Sequence, residues 1–168
     1  MFLPRVLGEG LYIPFVAAII EKEERGRKYV LIQKRHKWQD HKYCGAWEIP
    51  GGKFRAFEDV FDTLRREVRE ECGLEITEIS GEKEKVQYTN RSDESTIIKP
   101  YCVTQMKEGP FVGLVFLVKA KGKLVDRTKE TREIQWIDKE DLKQMITRQP
   151  ETFYTAFIGP LREYLKIR

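Results

Sequence analysis

The 168-residue chain has few cysteines and no long hydrophobic run, and each shortage excludes a class of protein. Its three cysteines, Cys44, Cys72 and Cys102, lie far apart and form no CxxC pair. This argues against a disulfide framework and a cysteine-based metal site, and it favours a reducing, cytoplasmic environment. The longest apolar run, residues 13–20, is well short of the roughly 20 residues that a membrane-spanning helix needs. We therefore expect a cytoplasmic protein that does not enter a membrane.

An excess of charge of one sign is also lacking. The chain has 31 lysines and arginines against 27 acidic residues, and the two signs are interspersed to give a net charge of +4. Since proteins that bind nucleic acid concentrate positive charge in a patch, the sequence predicts no stable nucleic-acid partner. The composition is 40% hydrophobic and 35% charged, which is typical of a globular protein. No repeat or linker divides the chain, so residues 1–168 are expected to form a single domain.

The hydrophobic pattern predicts a large, mixed β-sheet. Runs of β-branched and small apolar residues predict two paired strands over residues 12–20 and 29–33. A short strand is predicted over residues 46–50, where it ends in a Pro-Gly-Gly turn. Further strands are predicted over residues 85–88, 97–106, 111–120 and 133–137.

Three helices are predicted beside the sheet. Apolar residues at helical spacing predict a helix over residues 60–72, with Asp59 as its N-cap and Gly73 ending it in the left-handed conformation. Two more helices are predicted over residues 139–147 and 152–166, and Pro160 is expected to bend or start the last one. The aromatic stripe of the last helix is interpreted as core packing, with a homodimer surface as the alternative.

Three glutamates near the end of the first predicted helix carry the clearest chemical signal. Glu67 and Glu71 are four residues apart and Glu70 is three from Glu67, so their carboxylates are expected on the same turns. Their mutual repulsion and the partial negative charge of the helix end make this clustering unfavourable. A divalent cation would reverse the sign of the interaction, and oxygen ligands suit Mg²⁺ or Mn²⁺. The alternative is a solvated face balanced by the neighbouring arginines Arg65, Arg66 and Arg69.

Residues 52–74 resemble the Nudix box, Gly-x5-Glu-x7-Arg-Glu-U-x-Glu-Glu-x-Gly-U, in which U is aliphatic. Every fixed position matches: Gly52, Glu58, Arg66, Glu67, Val68, Glu70, Glu71, Gly73 and Leu74. The preceding residues 47–53, Trp-Glu-Ile-Pro-Gly-Gly-Lys, look like the usual lead-in of this family. The order of the predicted strands extends the resemblance over about residues 11–142. The resemblance implies an α/β protein with the Nudix fold, an α/β/α sandwich with a mixed β-sheet.

The resemblance also implies an activity, a cofactor and a set of site residues. It implies a hydrolase that uses Mg²⁺ or Mn²⁺ to cleave the diphosphate linkage between a nucleoside diphosphate and another moiety. A small nucleotide-like molecule is thus the expected partner. By position, the implied metal ligands are three carboxylates and a backbone carbonyl, those of Glu67, Glu70, Glu71 and Gly51. The implied catalytic and supporting residues are Glu71, Glu67, Arg66 and Glu58.

The box does not fix the general base or the contacts to the substrate. Members of the family use either a box glutamate or one from a distal loop as base. The distal candidates are Glu130 and Glu133, with solvated charges as the alternative. Four residues are candidates for substrate binding because they end the second predicted strand or lead into the helix: Lys34, Arg35, Gly52 and Arg55.

Two positions depart from the family pattern in the loop before the helix. Arg55 stands where an acidic residue is usual, and Phe57 stands where a glycine usually precedes the first box glutamate. Phe57 lacks the backbone freedom of glycine, so these departures bear on the shape of the loop and on the substrate it admits. Two alternative functions on the same fold are a non-catalytic binding or regulatory module and an isomerase of isoprenoid diphosphates. The complete set of box glutamates argues against a non-catalytic binding module, and the absence of an evident catalytic cysteine partner argues against an isomerase of isoprenoid diphosphates.

Overall fold

A computed structural model describes residues 9–37 and 41–167 together with the backbone of residues 5 and 6. The described residues form three α-helices, α1 (Val60–Cys72), α2 (Lys139–Arg148) and α3 (Thr155–Tyr164). The strands, in chain order, are β1 (Arg5–Val6), β2 (Glu9–Gly10), β3 (Ile13–Glu24), β4 (Arg27–Arg35), β5 (Trp47–Glu48), β6 (Gly51–Lys53), β7 (Glu75–Ile79), β8 (Val86–Asn90), β9 (Asp93–Ile97), β10 (Cys102–Gln105), β11 (Phe111–Lys121) and β12 (Thr131–Asp138). None of the helices described is long and apolar enough to cross a membrane.

The main sheet is mixed, as the sequence predicts, and the parallel pair β3 and β11 lies at its centre. The strand order is β10-β11-β3-β4-β12, with β5 paired to β4, β6 to β3 and β7 to β11. Strands β3 and β11 pair in parallel from Ile13 to Ile20, and the other pairs of this sheet are antiparallel. The continuous apolar run of β3 is buried on both faces of the sheet, as expected for a strand covered by helices on each side.

Helices cover both faces of this sheet. Successive side chains of a strand point to opposite faces, and β3 divides its residues between two hydrophobic clusters in this way. The cluster that contains α2 and α3 receives Phe15, Ala17 and Ile19. The cluster that contains α1 receives Val16, Ala18 and Ile20. The architecture is therefore the predicted α/β/α sandwich.

Helix α1 has the predicted bounds and the predicted caps. The side chain of Asp59 accepts a hydrogen bond from the backbone N–H of Phe61 at 2.8 Å. Gly73 adopts φ 75° and its N–H donates to the carbonyl of Arg69 at 3.0 Å. A Cβ at position 73 would lie only 2.7 Å from Cγ1 of Val125, so both conformation and space require glycine there.

Several strand predictions differ from the structure. The predicted strand over residues 97–106 is wrong: β9 ends at Ile97 and pairs with β8 in a separate hairpin, while β10 begins at Cys102 in the main sheet. Pro100 lies between them and cannot donate to a strand ladder. Strand β7 is not predicted because Ile76 and Ile79 are its only apolar residues.

Strand β3 is also longer than predicted, because it continues into a charged second half. It pairs with β4 up to Glu24 and Arg27, and Arg25 and Gly26 join the strands with φ of 51° and 74°. Two consecutive positive φ values fit the two-residue turns that match the twist of a hairpin. The pairing therefore follows from the turn rather than from an apolar pattern.

Helix α3 is shorter than predicted and follows a 3₁₀ turn, Pro150–Thr152. Its aromatic stripe is buried in the core, as predicted, so this stripe does not provide a dimer surface. Pro160 lies inside the helix and has no N–H to donate to the carbonyl of Ala156. That carbonyl instead accepts a hydrogen bond from Oγ1 of Thr104 on β10, at 3.1 Å. The sheet thus supplies the donor that the helix lacks.

We expect Thr104→Val to lower the free energy of unfolding by about 1 kcal/mol, because a partly buried carbonyl loses its donor. Thr77→Val is the matched control, since its hydroxyl bonds to the carbonyl of Lys119 at an exposed position. The control should change stability by less than about 0.5 kcal/mol. In a Pro160→Ala background the helix regains its own donor, so Thr104→Val should cost less in chemical denaturation. Equal costs in both backgrounds would contradict this account.

Candidate active site

The candidate site lies where the last turns of α1 meet β6 and the end of β4. Two glycines allow this close approach. A Cβ at Gly51 would lie 2.3 Å from the carbonyl oxygen of Val16, because β6 is packed directly on β3. A Cβ at Gly52 would lie 2.2 Å from the carboxyl carbon of Glu67. The Gly-Gly pair therefore lets one strand contact both the centre of the sheet and a carboxylate of the helix.

Glu71 is the most deeply buried carboxylate of the box. Its Oε2 accepts hydrogen bonds from Nε2 of Gln33 at 2.8 Å and from the backbone N–H of Gly51 at 3.0 Å. Its Oε1 is buried and accepts no hydrogen bond from any group that the structure describes. Nζ of Lys37 lies 3.8 Å from this oxygen. Burial, reinforced by the nearby carboxylate of Glu48, raises the pKa of Glu71 to about 8.

A second buried carboxylate, that of Glu48 on β5, lies beside Glu71. Its Oε2 accepts a hydrogen bond from Nη1 of Arg35 at 3.2 Å, and the guanidinium of Arg35 stacks over the ring of Tyr154 at 4.8 Å. Burial raises the pKa of Glu48 as well. Arg35, predicted to bind substrate, therefore contacts an internal carboxylate at the edge of the site.

Arg66 connects the two halves of the box. Its Nε and Nη2 donate to both carboxylate oxygens of Glu58, at 2.7 and 2.8 Å. Its Nη1 donates to Glu67 at 2.5 Å and to Glu70 at 3.4 Å. The hydrogen bonds from Arg66 hold the pKa of Glu58 at about 2. This planar fork matches the orienting role that the resemblance implies for Arg66 and Glu58.

The three box glutamates do not form one cluster, although their spacing favours it. Glu67 lies against Gly52 and Arg66, Glu70 is exposed, and Glu71 is turned into the protein. Within the described ranges, no three histidine, cysteine or acidic side chains are placed together so that they could hold a metal ion. Each carboxylate instead has its own cationic or N–H partner, which reduces the repulsion among the three.

Two lysines that follow the buried part of β4 hold the distal glutamates. Nζ of Lys34 lies 2.8 Å from Glu133 and 4.9 Å from the ring centre of Trp47. Nζ of Lys37 lies 2.5 Å from Glu130. Glu133 has φ 48° and lies at an irregularity in the pairing of β12 with β4, between Arg132 and Gln135. Bulges of this kind redirect side chains next to active sites.

The loop before α1 keeps a left-handed residue at the position that is usually glycine. Phe57 adopts φ 65° and its side chain is fully exposed. Nη2 of Arg55 lies 3.8 Å from Oε1 of Glu70, and its backbone N–H donates to Glu58 at 3.4 Å. Arg55 therefore faces a predicted metal ligand from the outside of the loop.

Sequence reasoning did not single out Gln33, Lys37 or Glu48, although each contacts or faces Glu71. Gln33 and Glu48 have a recognisable signal, since each is a polar residue within or next to an apolar run and is nearly inaccessible. A buried polar side chain needs a partner, so such positions point to a network. Lys37 has no such signal, because it lies in a polar loop.

Known proteins resemble this chain in sequence. The NUDIX domain family matches residues 12–157, which is most of the chain. A CTP pyrophosphohydrolase of Escherichia coli (strain K12) is 40% identical over 65 residues, which cover 39% of this chain and 44% of that protein. The nucleoside triphosphatase NudI of E. coli (strain K12 / DH10B) is 32% identical over 102 residues, which cover 60% of this chain and 67% of that protein.

Solved structures show the same fold. A MutT protein from Methanosarcina mazei Go1 superposes with a TM-score of 0.60 at 23% identity, over 93% of this chain and 94% of that chain. The NUDIX domain of Shewanella oneidensis NrtR, complexed with ADP ribose, superposes with a TM-score of 0.58 at 16% identity, over 81% and 79%. Together with the complete box and the family match over residues 12–157, these likenesses establish that the chain belongs to the Nudix family and has the Nudix fold.

Proposed function

We propose that the protein is a metal-dependent pyrophosphohydrolase that cleaves the diphosphate linkage of a small nucleotide. The observation that carries this proposal is the buried Oε1 of Glu71, which accepts no hydrogen bond from the described residues and has the ammonium of Lys37 at 3.8 Å. The relatives named as a nucleoside triphosphatase and a CTP pyrophosphohydrolase support nucleoside triphosphates as the first substrate class to test.

The residues at the site fit a divalent cation. A buried carboxylate oxygen without a donor is costly, and a second buried carboxylate beside it adds repulsion. A cation at Oε1 would offset both effects and favour the ionised form of Glu71. Glu71 would hold it through Oε1, and the resemblance implies Glu67, Glu70 and the carbonyl of Gly51 as further ligands, although the three carboxylates lie apart in this structure. Bound Mg²⁺ would neutralise phosphate charge and lower the pKa of a water molecule at the site.

The chain's own residues prepare the site for a phosphate chain. Arg66 fixes Glu58 and Glu67, so the two halves of the box are held in one geometry. Lys34 and Lys37 supply positive charge at the end of β4, where each is paired with a distal glutamate. Attraction to these ammonium groups would draw an anionic substrate toward Glu71.

Of the two distal candidates, Glu130 is favoured as the general base. The lysine that holds Glu130 also lies near Oε1 of Glu71, whereas the lysine that holds Glu133 stacks on Trp47. The contact with Lys37 places the carboxylate of Glu130 beside Glu71, where it could accept a proton from water.

Activity is expected to need a divalent metal. We expect hydrolysis of nucleoside triphosphates in Mg²⁺ or Mn²⁺, faster toward alkaline pH because the nucleophile is a deprotonated water. The test is product analysis over a panel of nucleoside triphosphates, nucleotide sugars, dinucleoside polyphosphates and ADP-ribose. Full turnover in excess EDTA, or no turnover of any member with metal, would contradict the proposal.

Glu71→Gln should separate catalysis from stability. In the metal-free protein the pKa of Glu71 is raised from its ordinary 4.5 to about 8, so the folded state resists ionisation. Wild-type stability should then fall as pH rises from about 4.5 to about 8, and the variant should lack this loss. In EDTA, the difference between the melting temperatures of the variant and the wild type should therefore increase in favour of the variant as the pH rises through this range.

The same variant should lose at least about tenfold in kcat with metal present. Glu70→Gln is the matched control for melting, because the carboxylate of Glu70 is exposed and its removal should not change the pH profile. A Glu71→Gln protein with wild-type kcat, or with a melting profile parallel to wild type at all pH values, would show that this carboxylate is not part of the site.

Arg55→Glu should weaken binding of the substrate. The new carboxylate would face Glu70 in place of the present contact at 3.8 Å, and it would repel an anionic ligand. We expect KM to rise by roughly fivefold with a smaller change in kcat, since an exposed charge contributes at most about 1 kcal/mol. Arg55→Gln, which removes the charge without inverting it, should give an intermediate KM. An unchanged KM in both variants would assign Arg55 to the surface alone.

A further inference from the structure

Gln33 is a buried amide next to the candidate metal ligands. It follows Val30, Leu31 and Ile32 on β4 and, like them, is inaccessible to solvent. Strand β4 carries it between the last turn of α1 and the short strand β5, so its side chain ends between two carboxylates. A polar side chain at such a position is stable only if each of its donors and acceptors has a partner.

Every polar group of Gln33 has a partner in this environment. Its Nε2 donates to Oε2 of Glu71 at 2.8 Å, and Glu48 is its partner in the pairing of β4 with β5. Its Oε1 accepts a hydrogen bond from Sγ of Cys72, at 3.5 Å. The amide therefore turns its NH₂ group toward the carboxylate of Glu71 and its carbonyl toward the thiol.

We propose that Gln33, held in one orientation by the thiol of Cys72, is the positioning residue that fixes Glu71 for metal binding. This inference rests on the proposed function. Without the amide, Oε2 of Glu71 would retain only the N–H of Gly51, and the carboxylate could rotate about that single contact. The direction of Oε1, the oxygen left for a cation, depends on this pair of hydrogen bonds.

The neutrality of Gln33 is part of this role. A lysine or arginine at position 33 would also satisfy the two carboxylates, but its charge would cancel the negative charge that attracts a cation. An amide supplies two donors and leaves that charge in place. Mutation of groups that orient metal ligands in this way typically lowers metal affinity or activity by about 10- to 100-fold.

The test compares Gln33→Met with wild type. Methionine has a similar length and no donor, so the carboxylate loses its orientation while the core stays filled. We expect the Mg²⁺ concentration at half-maximal thermal stabilisation to rise by about tenfold and kcat to fall by a similar factor, with KM within about twofold. A Gln33→Met protein with wild-type Mg²⁺ response and kcat overturns the proposal.

Two substitutions of Cys72 test the orientation separately, including the case in which Gln33→Met does not fold. Cys72→Ser keeps a donor to the Gln33 carbonyl and should retain the wild-type Mg²⁺ midpoint, whereas Cys72→Ala removes the donor and should raise it by about threefold. Val68→Ala is the control, because it removes buried volume from the same helix without touching Gln33. It should lower the melting temperature and leave the Mg²⁺ midpoint unchanged.

Equal Mg²⁺ midpoints for Cys72→Ser and Cys72→Ala overturn the role of Cys72 in orienting Gln33. A wild-type protein whose melting temperature does not respond to Mg²⁺ overturns the positioning role of Gln33 altogether. Failure of the proposed function gives a different result. In that case the wild type hydrolyses no member of the substrate panel, while the order of the Mg²⁺ midpoints still tests the positioning of Glu71.

Discussion

The site depends on the burial of one carboxylate, that of Glu71, against the backbone of Gly51 and the amide of Gln33. Moving a carboxylate out of water is costly unless its oxygens find donors, and here only Oε2 does. The caps of α1 matter for this reason. Asp59 and Gly73 fix where the helix begins and ends, and Glu71 is two residues before that end. A helix that frayed or shifted by one residue would move the carboxylate away from its donors.

The contact between Glu71 and the backbone of Gly51 also explains why the site lies at the centre of the sheet. Strand β6 pairs with β3, the most buried strand, and Gly51 can approach Val16 so closely only because it lacks a side chain. On the other side, Gly52 leaves room for the carboxylate of Glu67. Ligand groups held by packed secondary structure keep their geometry better than groups on free loops. The rigid core thus positions the carboxylates, and burial of the core maintains their unfavourable proximity.

The sequence predicts the local features of this protein well and the long-range ones only in part. Helix α1 and its caps depend on neighbouring residues, and the structure confirms their bounds. The contacts of Gln33 with Glu71 and of Lys37 with Glu130 join residues that are far apart in the chain, so no local pattern reveals them. Strand β7 shows a similar limit, because its pairing with β11 compensates for a weak apolar pattern. The predicted strand over residues 97–106 is wrong for another reason, because Pro100 in the sequence already marks the break between β9 and β10.

Arg55 and Phe57, the two departures from the family pattern, lie on the exposed side of the loop. Their position separates the path of the loop from the character of its outer surface. Phe57 keeps the left-handed backbone that glycine would adopt easily, at a cost of about 1 kcal/mol for a residue with a side chain. The loop therefore retains its path, and Glu58 still reaches Arg66. What changes is the outer surface of the loop, where the ring of Phe57 is exposed and the guanidinium of Arg55 faces Glu70. The buried carboxylates and their donors are untouched by these substitutions, so under the proposed function the outer face of the loop would bear on the choice of substrate and the inner face on the chemistry.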